Sequence, residues 1–410
     1  MRAEDSYTLA AETARTSYSR LVAILAARTR DVALAEDALA GAFQAALEHW
    51  PKSGVPTSPE AWLLTTARRA LIDGARHEAV RERVMPNLTM MTEEAHRLRD
   101  ASEELFPDER LKLLFVCAHP AIDTSIHTAL MLQSVLGLEA THIAKAFVVA
   151  PATMGQRLVR AKRKIKAAQI PFTIPEKDQL TPRITAVLEA IYVAFSTGWD
   201  EAFTEASKSA GLADEAIWLA RLVVQLLPDN AEAKGLLALM LYAQSRKSAR
   251  RNQAEYIPLS EQDTSLWDRT LIAEAETVLR TASTLSAPGR FQLEAAIQSA
   301  HISGLLKGSV NWPAIIQLYE RLIRTAPSIG AQVAQASAVA MAGRPDDAAR
   351  LLEGISEQAD TYQPYWAAIA YVERSRGNYE DARTAYARAR ELCPDPTVKD
   401  WLDGKLEELA

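Results

Sequence analysis

Apolar residues along this chain recur at helical spacing. Leu39, Phe43 and Leu47 fall at i, i+4 and i+8, which predicts an amphipathic helix over Val32–His49, closed by Trp50-Pro51. Residues 51–59 hold three prolines, a glycine and three Ser/Thr, and read as a loop. A second long helix starts near Pro59-Glu60 and carries Trp62, Leu63, Ala67 and Leu71. Residues 84–107 show no clean period; five acids, two arginines and prolines near both margins mark a linker. The block that follows ends in two short helices. Leu138–Phe147 has Ile143, Ala144 and Phe147 apolar, and Pro151–Lys166 has Met154, Leu158, Ala161 and Ile165 at i, i+4, i+7 and i+11, one apolar stripe. The joint Val148-Val149-Ala150 separates them, and Pro151 suits a first helical turn. No convincing period-two strand run occurs. Two prolines in Pro171–Pro175 (PFTIP) break any helix. The reading is all-α, with domains at 1–83 and 108–170 joined by the linker 84–107, and a helical domain over 177–410.

The last domain carries a period. Gly343, Ala348 and Leu352 recur 34 residues on as Gly377, Ala382 and Tyr386. The final copy, WAAIAYVERSRGNYEDARTAYARARELCPDP, resembles a tetratricopeptide repeat through Trp366, Gly377, Tyr379, Ala382, Tyr386, Ala389 and Pro394. Tyr319, Pro327, Ala216 and Pro228 fit weaker copies. Small residues at such sites let paired helices approach, and each pair buries its apolar face only against neighbours, as in a solenoid. The segment Ser245–Asp268 reads as a loop interrupting the array.

Composition supports helices: the chain of 410 residues has only 16 glycines and is rich in Ala, Leu, Arg and Glu. The net charge of −6 hides an asymmetry. Residues 1–170 carry 22 Lys/Arg against 20 Asp/Glu, whereas the remainder carries 24 against 32. The acidic back half is therefore not expected to touch nucleic acid. Two cysteines far apart, Cys117 and Cys393, form no disulfide framework and fit a reducing cytosol. The N-terminus lacks the apolar core of a signal peptide, and no run is long enough to span a bilayer, so a cytoplasmic location is expected.

The charge is concentrated where chemistry can use it. PATMGQRLVRAKRKIK, residues 151–166, has six basic side chains and no acidic one. Thr153, Gln156, Arg157, Arg160 and Lys164 lie mostly off the apolar stripe. A tight helical pair with the cations on its second member is the arrangement that sets a recognition helix in a DNA major groove. Gln156, Arg157 and Arg160 suit bidentate contacts to base edges, while Lys162, Arg163, Lys164 and Lys166 suit phosphates. On the earlier helix, Arg68, Arg69, Arg76, Arg81 and Arg83 surround Asp73 and His77, and Asp73 is placed four residues from both Arg69 and His77 to pair with either. Such a helix is either a surface knitted by ion pairs or a track for a nucleic-acid strand. Cys117 and His119 lack the further ligands a metal site needs. No phosphate-binding glycine loop or GxSxG elbow is present. The chain is read as having no metal, no cofactor and no enzymatic activity of its own.

Two strings of residues resemble one family. Asp31-x4-Glu36-Asp37-Ala38 with Phe43 and Trp50, then Pro59-x2-Trp62-Leu63-x3-Ala67-Arg68-x3-Ile72-Asp73, resembles region two of bacterial sigma factors of the extracytoplasmic-function group. DERLKLLFVCAHPAI, Leu130 and IAKAF…ATMGQRLVRAKRKIKAAQIPF resemble region four. The resemblance extends through LLPDNAEAKGLLALMLY and LWDRTLIAE to the subfamily with a C-terminal tetratricopeptide-like extension. It implies a promoter-specificity subunit of RNA polymerase that binds the β′ clamp and the β flap. Glu36, Asp37 and Phe43 are then the core-polymerase contacts. Arg68, Arg69, Asp73, Arg76 and His77 meet the minus-ten element, and Thr153, Gln156, Arg157, Arg160, Lys162, Arg163 and Lys164 meet the minus-thirty-five element. By gene association the resemblance also implies a small YCII-like protein as partner of the repeats. The chain departs from the family at Ala40 and Gly41 (usually Gln and Glu), Arg69 (usually Asn), His142 (usually Glu) and Ala150-Pro151 (usually Pro-Glu). Two other readings remain open: a helix-turn-helix regulator, and a repeat scaffold that does not bind core polymerase.

Overall fold

A computed structural model describes residues 3–82, 106–147, 149–201, 211–252, 255–285 and 288–409. Most of the expected linker 84–107 lies outside them. The chain divides into two compact units, 1–223 and 224–410. The division falls later than the PFTIP boundary, so the helix after that boundary belongs with the front unit.

The front unit opens with α1 (Ala3–Thr29), α2 (Val32–Ser53) and α3 (Pro59–Glu82). Asp31 starts α2 by accepting from the Leu34 amide at 3.1 Å, which satisfies one of the donors a helix start leaves open. The helix runs past Trp50-Pro51, four residues beyond the expected end at His49. Pro51 removes only the bond to Leu47, on the exposed side, and Gly54 closes the helix at φ 84°. Leu21, Leu25, Leu39, Trp50 and Leu63 are fully buried between these helices. Trp50 meets Trp62 edge-on at 5.6 Å. Glu60, in the first turn of α3, accepts from Ser17 and Arg20 of α1.

Next come α4 (Phe106–Cys117), α5 (Thr124–Ser134), α6 (Ala140–Ala146) and α7 (Pro151–Ala167). The pair α6–α7 is the expected helix–turn–helix, with α6 shorter at both ends than the periodicity predicts. Met154, Leu158, Ala161 and Ile165 are all buried, as the stripe requires. Two further helices, α8 (Lys177–Glu201) and α9 (Leu212–Leu226), complete the front unit, although the last residues of α9 pass the division. Arg183 of α8 donates to the Phe115 carbonyl at 3.3 Å and ties α8 to α4.

In the back unit, α10 (Ala231–Ser245), α11 (Arg269–Ser283) and α12 (Arg290–Lys307) share one polar tie. Glu276 of α11 accepts from Tyr242 of α10 and Ser299 of α12, both at 2.6 Å. Glu232 of α10 accepts from the amides of Phe291 and Gln292, capping α12 from outside the helix. The expected loop Ser245–Asp268 contains short 3₁₀ turns and two two-residue strands, Arg251–Asn252 and Glu255–Tyr256, paired antiparallel. Helical hairpins follow: α13 (Trp312–Thr325), α14 (Ile329–Met341) with α15 (Pro345–Glu353), the single turn α16 (Ser356–Ala359), α17 (Gln363–Arg376) with α18 (Tyr379–Leu392), and α19 (Pro396–Glu407). Gly343 and Gly377 stand at the turns of the two hairpins at φ 80° and 85°. The left-handed conformation that a short turn needs there is why a glycine recurs at that spacing. Ala348 and Leu352 pack with Val333, Ala336 and Tyr365, and Ala385, Tyr386 and Ala389 pack with Ala370 and Leu402.

Two glycines make contrasting demands. A Cβ on Gly235 would lie 2.4 Å from the backbone nitrogen of Gln292, so α10 and α12 would have to separate. A Cβ on exposed Gly41 of α2 would meet nothing within 4 Å. Gly235→Ala is expected to destabilise by about 1–3 kcal/mol or more, and Gly41→Ala to stabilise by about 1 kcal/mol; urea unfolding of the two variants reads both.

Candidate nucleic-acid interface

Helix α7 carries its basic residues on two unlike sides. Ala152, Thr153, Gln156, Val159, Arg160, Arg163 and Lys164 are exposed. Ala152, then Gly155 and Gln156, then Val159 and Arg160, then Arg163 succeed one another turn by turn and line a shallow, open outward groove of about 450 Å³. Arg157 stands on the flank, half-buried, with its guanidinium 3.4 Å from the Ser125 hydroxyl at the start of α5. Asp123 caps α5, and its carboxyl is held below the usual carboxylate range, first by the Ser125 hydrogen bonds and then by Arg157 and His127.

Lys162 faces the other way. It is 7% exposed, and its ammonium donates to both carboxylate oxygens of Glu36 on α2, at 2.7 and 2.6 Å. Its neighbour Lys166 reaches Asp31 at 2.9 Å, but from solvent. Its charge suits Lys162 to phosphate, and the resemblance implies that Glu36 contacts the polymerase. In the folded chain they occupy each other. Burial pushes the Glu36 carboxyl up from its ordinary value, an effect that Lys162 opposes and Asp37 reinforces. The thiol of Cys117 is likewise pushed up, chiefly by complete burial.

The other expected polymerase contacts divide in the same way. Asp37 is exposed. Phe43 stacks on Tyr18 of α1 at 6.1 Å, and the Tyr18 hydroxyl is pushed up to about 12 by burial and then by Glu36 and Asp37. The outer face of α2 instead presents Leu34 and Leu47, both 44% exposed. Periodicity assigned Leu47 to the buried face; the registers of Ala35, Ala38, Leu39, Ala42 and Ala46 claim that face. On α3, Arg69 and Asp73 are exposed. Arg68 is partly buried, and its guanidinium is lowered to about 10 by burial and by Arg28. Arg76, His77 and Arg81 lie on the same helix, with side chains outside the described ones, and Arg83 lies outside the described residues.

Arg110 is a buried cation with no signal in the sequence. Arg110 of α4 lies 4.1 Å over the Trp218 ring and pairs with Glu215, both on α9. No motif announces a contact between residues so far apart in the chain. Among the described residues, no three His, Cys, Asp or Glu side chains gather as a metal site requires. None of the described helices is long and apolar enough to cross a membrane.

These helices match a known domain. Residues 14–81, which span most of α1 through α3, match sigma-70 region 2, and residues 183–283 match a family of unknown function (DUF6596). The region 2 domain supports a sigma factor of the sigma-70 class, acting in transcription initiation with core RNA polymerase and promoter DNA. The chain belongs to one family with an uncharacterised protein of Rhizobium meliloti (strain 1021), to which it is 34% identical over 386 residues, 93% of this chain and 91% of the relative. No solved structure matches it.

The Lys162–Glu36 pair makes a stability prediction. Removing one partner strands the other away from water, a loss of about 3–5 kcal/mol for a fully buried pair and somewhat less here. Lys162→Met alone is therefore expected to lower the unfolding midpoint clearly. The double variant Glu36→Leu/Lys162→Met should recover most of the loss. Thermal unfolding of the two singles and the double measures the coupling.

Proposed function

We propose that the chain is a sigma factor of the extracytoplasmic-function type. In this reading α2 docks on the β′ clamp and α3 contacts the minus-ten element through Arg68, Arg69, Asp73, Arg76 and His77. Helix α7 then enters the major groove of the minus-thirty-five element, and its domain meets the β flap. The single observation that carries the reading is the outer face of α7. It is basic, free of acidic side chains and exposed, in the same chain as a sigma-70 region 2 domain. Gln156 and Arg160, with Arg157 on the flank, are the base readers; Thr153, Arg163 and Lys164 hold phosphates. Lys162 joins them only after α7 parts from α2, because its ammonium is already bound. The hairpins of the acidic back unit serve as a tetratricopeptide-like regulatory or partner-binding module. Their paired helices and recurrent turn glycines support that role. Neither the residues nor the relative supports the small YCII-like partner that the resemblance implies.

Run-off transcription with added core polymerase tests the reading. Promoter-dependent initiation, with co-elution of the chain and polymerase, is the expected result. A chain that footprints a duplex but never supports initiation or co-elutes is a helix-turn-helix regulator instead. Neither activity would leave a repeat scaffold. Within the sigma-factor reading, Arg160→Ala should relax preference at one or two base pairs by about 1–3 kcal/mol. Lys164→Ala should weaken all sequences alike and lower the salt slope by about one. Equal losses on every sequence from the Arg160 change would refute its assignment to a base.

A further inference from the structure

Val159 is out of place on α7. The other large apolar residues of this helix (Met154, Leu158 and Ile165) are at most 1% exposed, whereas Val159 is 48% exposed. It stands in the middle of the groove, between Gln156, Arg160 and Arg163. An isolated exposed valine is common on protein surfaces. This one is flanked by a second anomaly. Gly155 lies one turn earlier on the same face, inside a helix, where glycine costs about 1 kcal/mol relative to alanine. Nothing in the fold requires it: a Cβ there would meet no atom within 4 Å, and its φ is not in the left-handed region. A side chain is thus missing where internal packing would accept one, next to an apolar group that internal packing does not use, within a cationic surface.

We propose that this open face of α7 receives a base-pair edge. Gly155 admits the edge close to the helix backbone, and Val159 contacts the C5-methyl group of a thymine in the duplex read by α7. This rests on the reading of α7 as a promoter-recognition helix. Thymine is the base whose major-groove edge offers an apolar group, and small apolar side chains are its usual partners. Gln156 and Arg160 sit within one turn of Val159, placed to fix neighbouring bases by hydrogen bonds. The groove's charge complements a phosphate backbone. A neutral protein partner for Val159 would have to cover Arg160 and Arg163 as well.

The test uses the full chain with core polymerase. A preferred duplex is first selected from a randomised pool. Each thymine in the protected upstream element is then replaced by deoxyuridine, which removes only the methyl group. The wild type should bind one of these uracil duplexes roughly fourfold more weakly, the factor expected for one buried apolar carbon. Val159→Ala should bind that uracil duplex and its thymine parent equally, and should discriminate normally at all other positions. Gly155→Ala should raise the thermal midpoint, because the helix gains an alanine in open space, yet weaken duplex binding tenfold or more. A loss of binding with a gain in stability separates occlusion from misfolding.

If the wild type binds thymine and uracil equally at every position, or if Val159→Ala keeps the discrimination, the inference is overturned while promoter recognition stands. Wild-type affinity in Gly155→Ala overturns the close approach. A Val159→Ala variant that loses co-elution with polymerase but keeps its thymine preference assigns the residue to a protein contact and likewise overturns the inference. If the wild type selects no duplex, the promoter reading and this one fall together.

Discussion

The buried pair between Lys162 and Glu36 is the constraint around which the front unit is arranged. Each charge alone would be stranded away from water, and burial already disfavours the Glu36 carboxylate. The pair is tolerable because the ammonium meets both oxygens at hydrogen-bond distance. It sits at the margin of the apolar stripe of α7, so it clamps α7 to α2 in one rotational setting. Asp31 reinforces that setting from the residue before α2, where it both caps the helix and accepts from Lys166. The contribution of that outer pair is small, because the Lys166 side chain is 69% exposed.

This setting divides the cations of α7 by task. Those beside the stripe hold the protein together, and those opposite it remain available to an anionic partner. The same logic runs through α2, where Glu36 and Phe43 are engaged within the chain while Leu34, Asp37 and Leu47 look outward. On the proposed reading, α7 as recognition helix and α2 as docking helix share surfaces, because Lys162 of one already holds Glu36 of the other. A fold of this kind therefore couples the two interactions: whatever draws Glu36 away frees Lys162, and the reverse.

Much of the architecture was legible from spacing. The stripe Met154, Leu158, Ala161, Ile165 is buried as its period required, and Gly343 and Gly377 mark equivalent hairpin turns. Both are local effects, set within one or two helical turns. The misjudged features turn on which side of a helix faces solvent, which spacing alone does not fix. Pro51 did not end α2, because the missing hydrogen bond fell on an exposed side and Gly54 offered a better stop. Leu47 fitted the apolar register of α2, yet the alanines beside it took the inner face and left it outside.

What the sequence determined by itself was the all-α class, the helices over Val32–His49 and from Pro59, the helix–turn–helix and the concentration of positive charge on its second member, since these follow from side-chain periodicity and composition within short windows. Only the tertiary structure decided which cations are free. Lys162 and Arg160 are indistinguishable as letters two positions apart. One points into a carboxylate supplied from residue 36 and the other into solvent, because two residues along a helix amount to about half a turn.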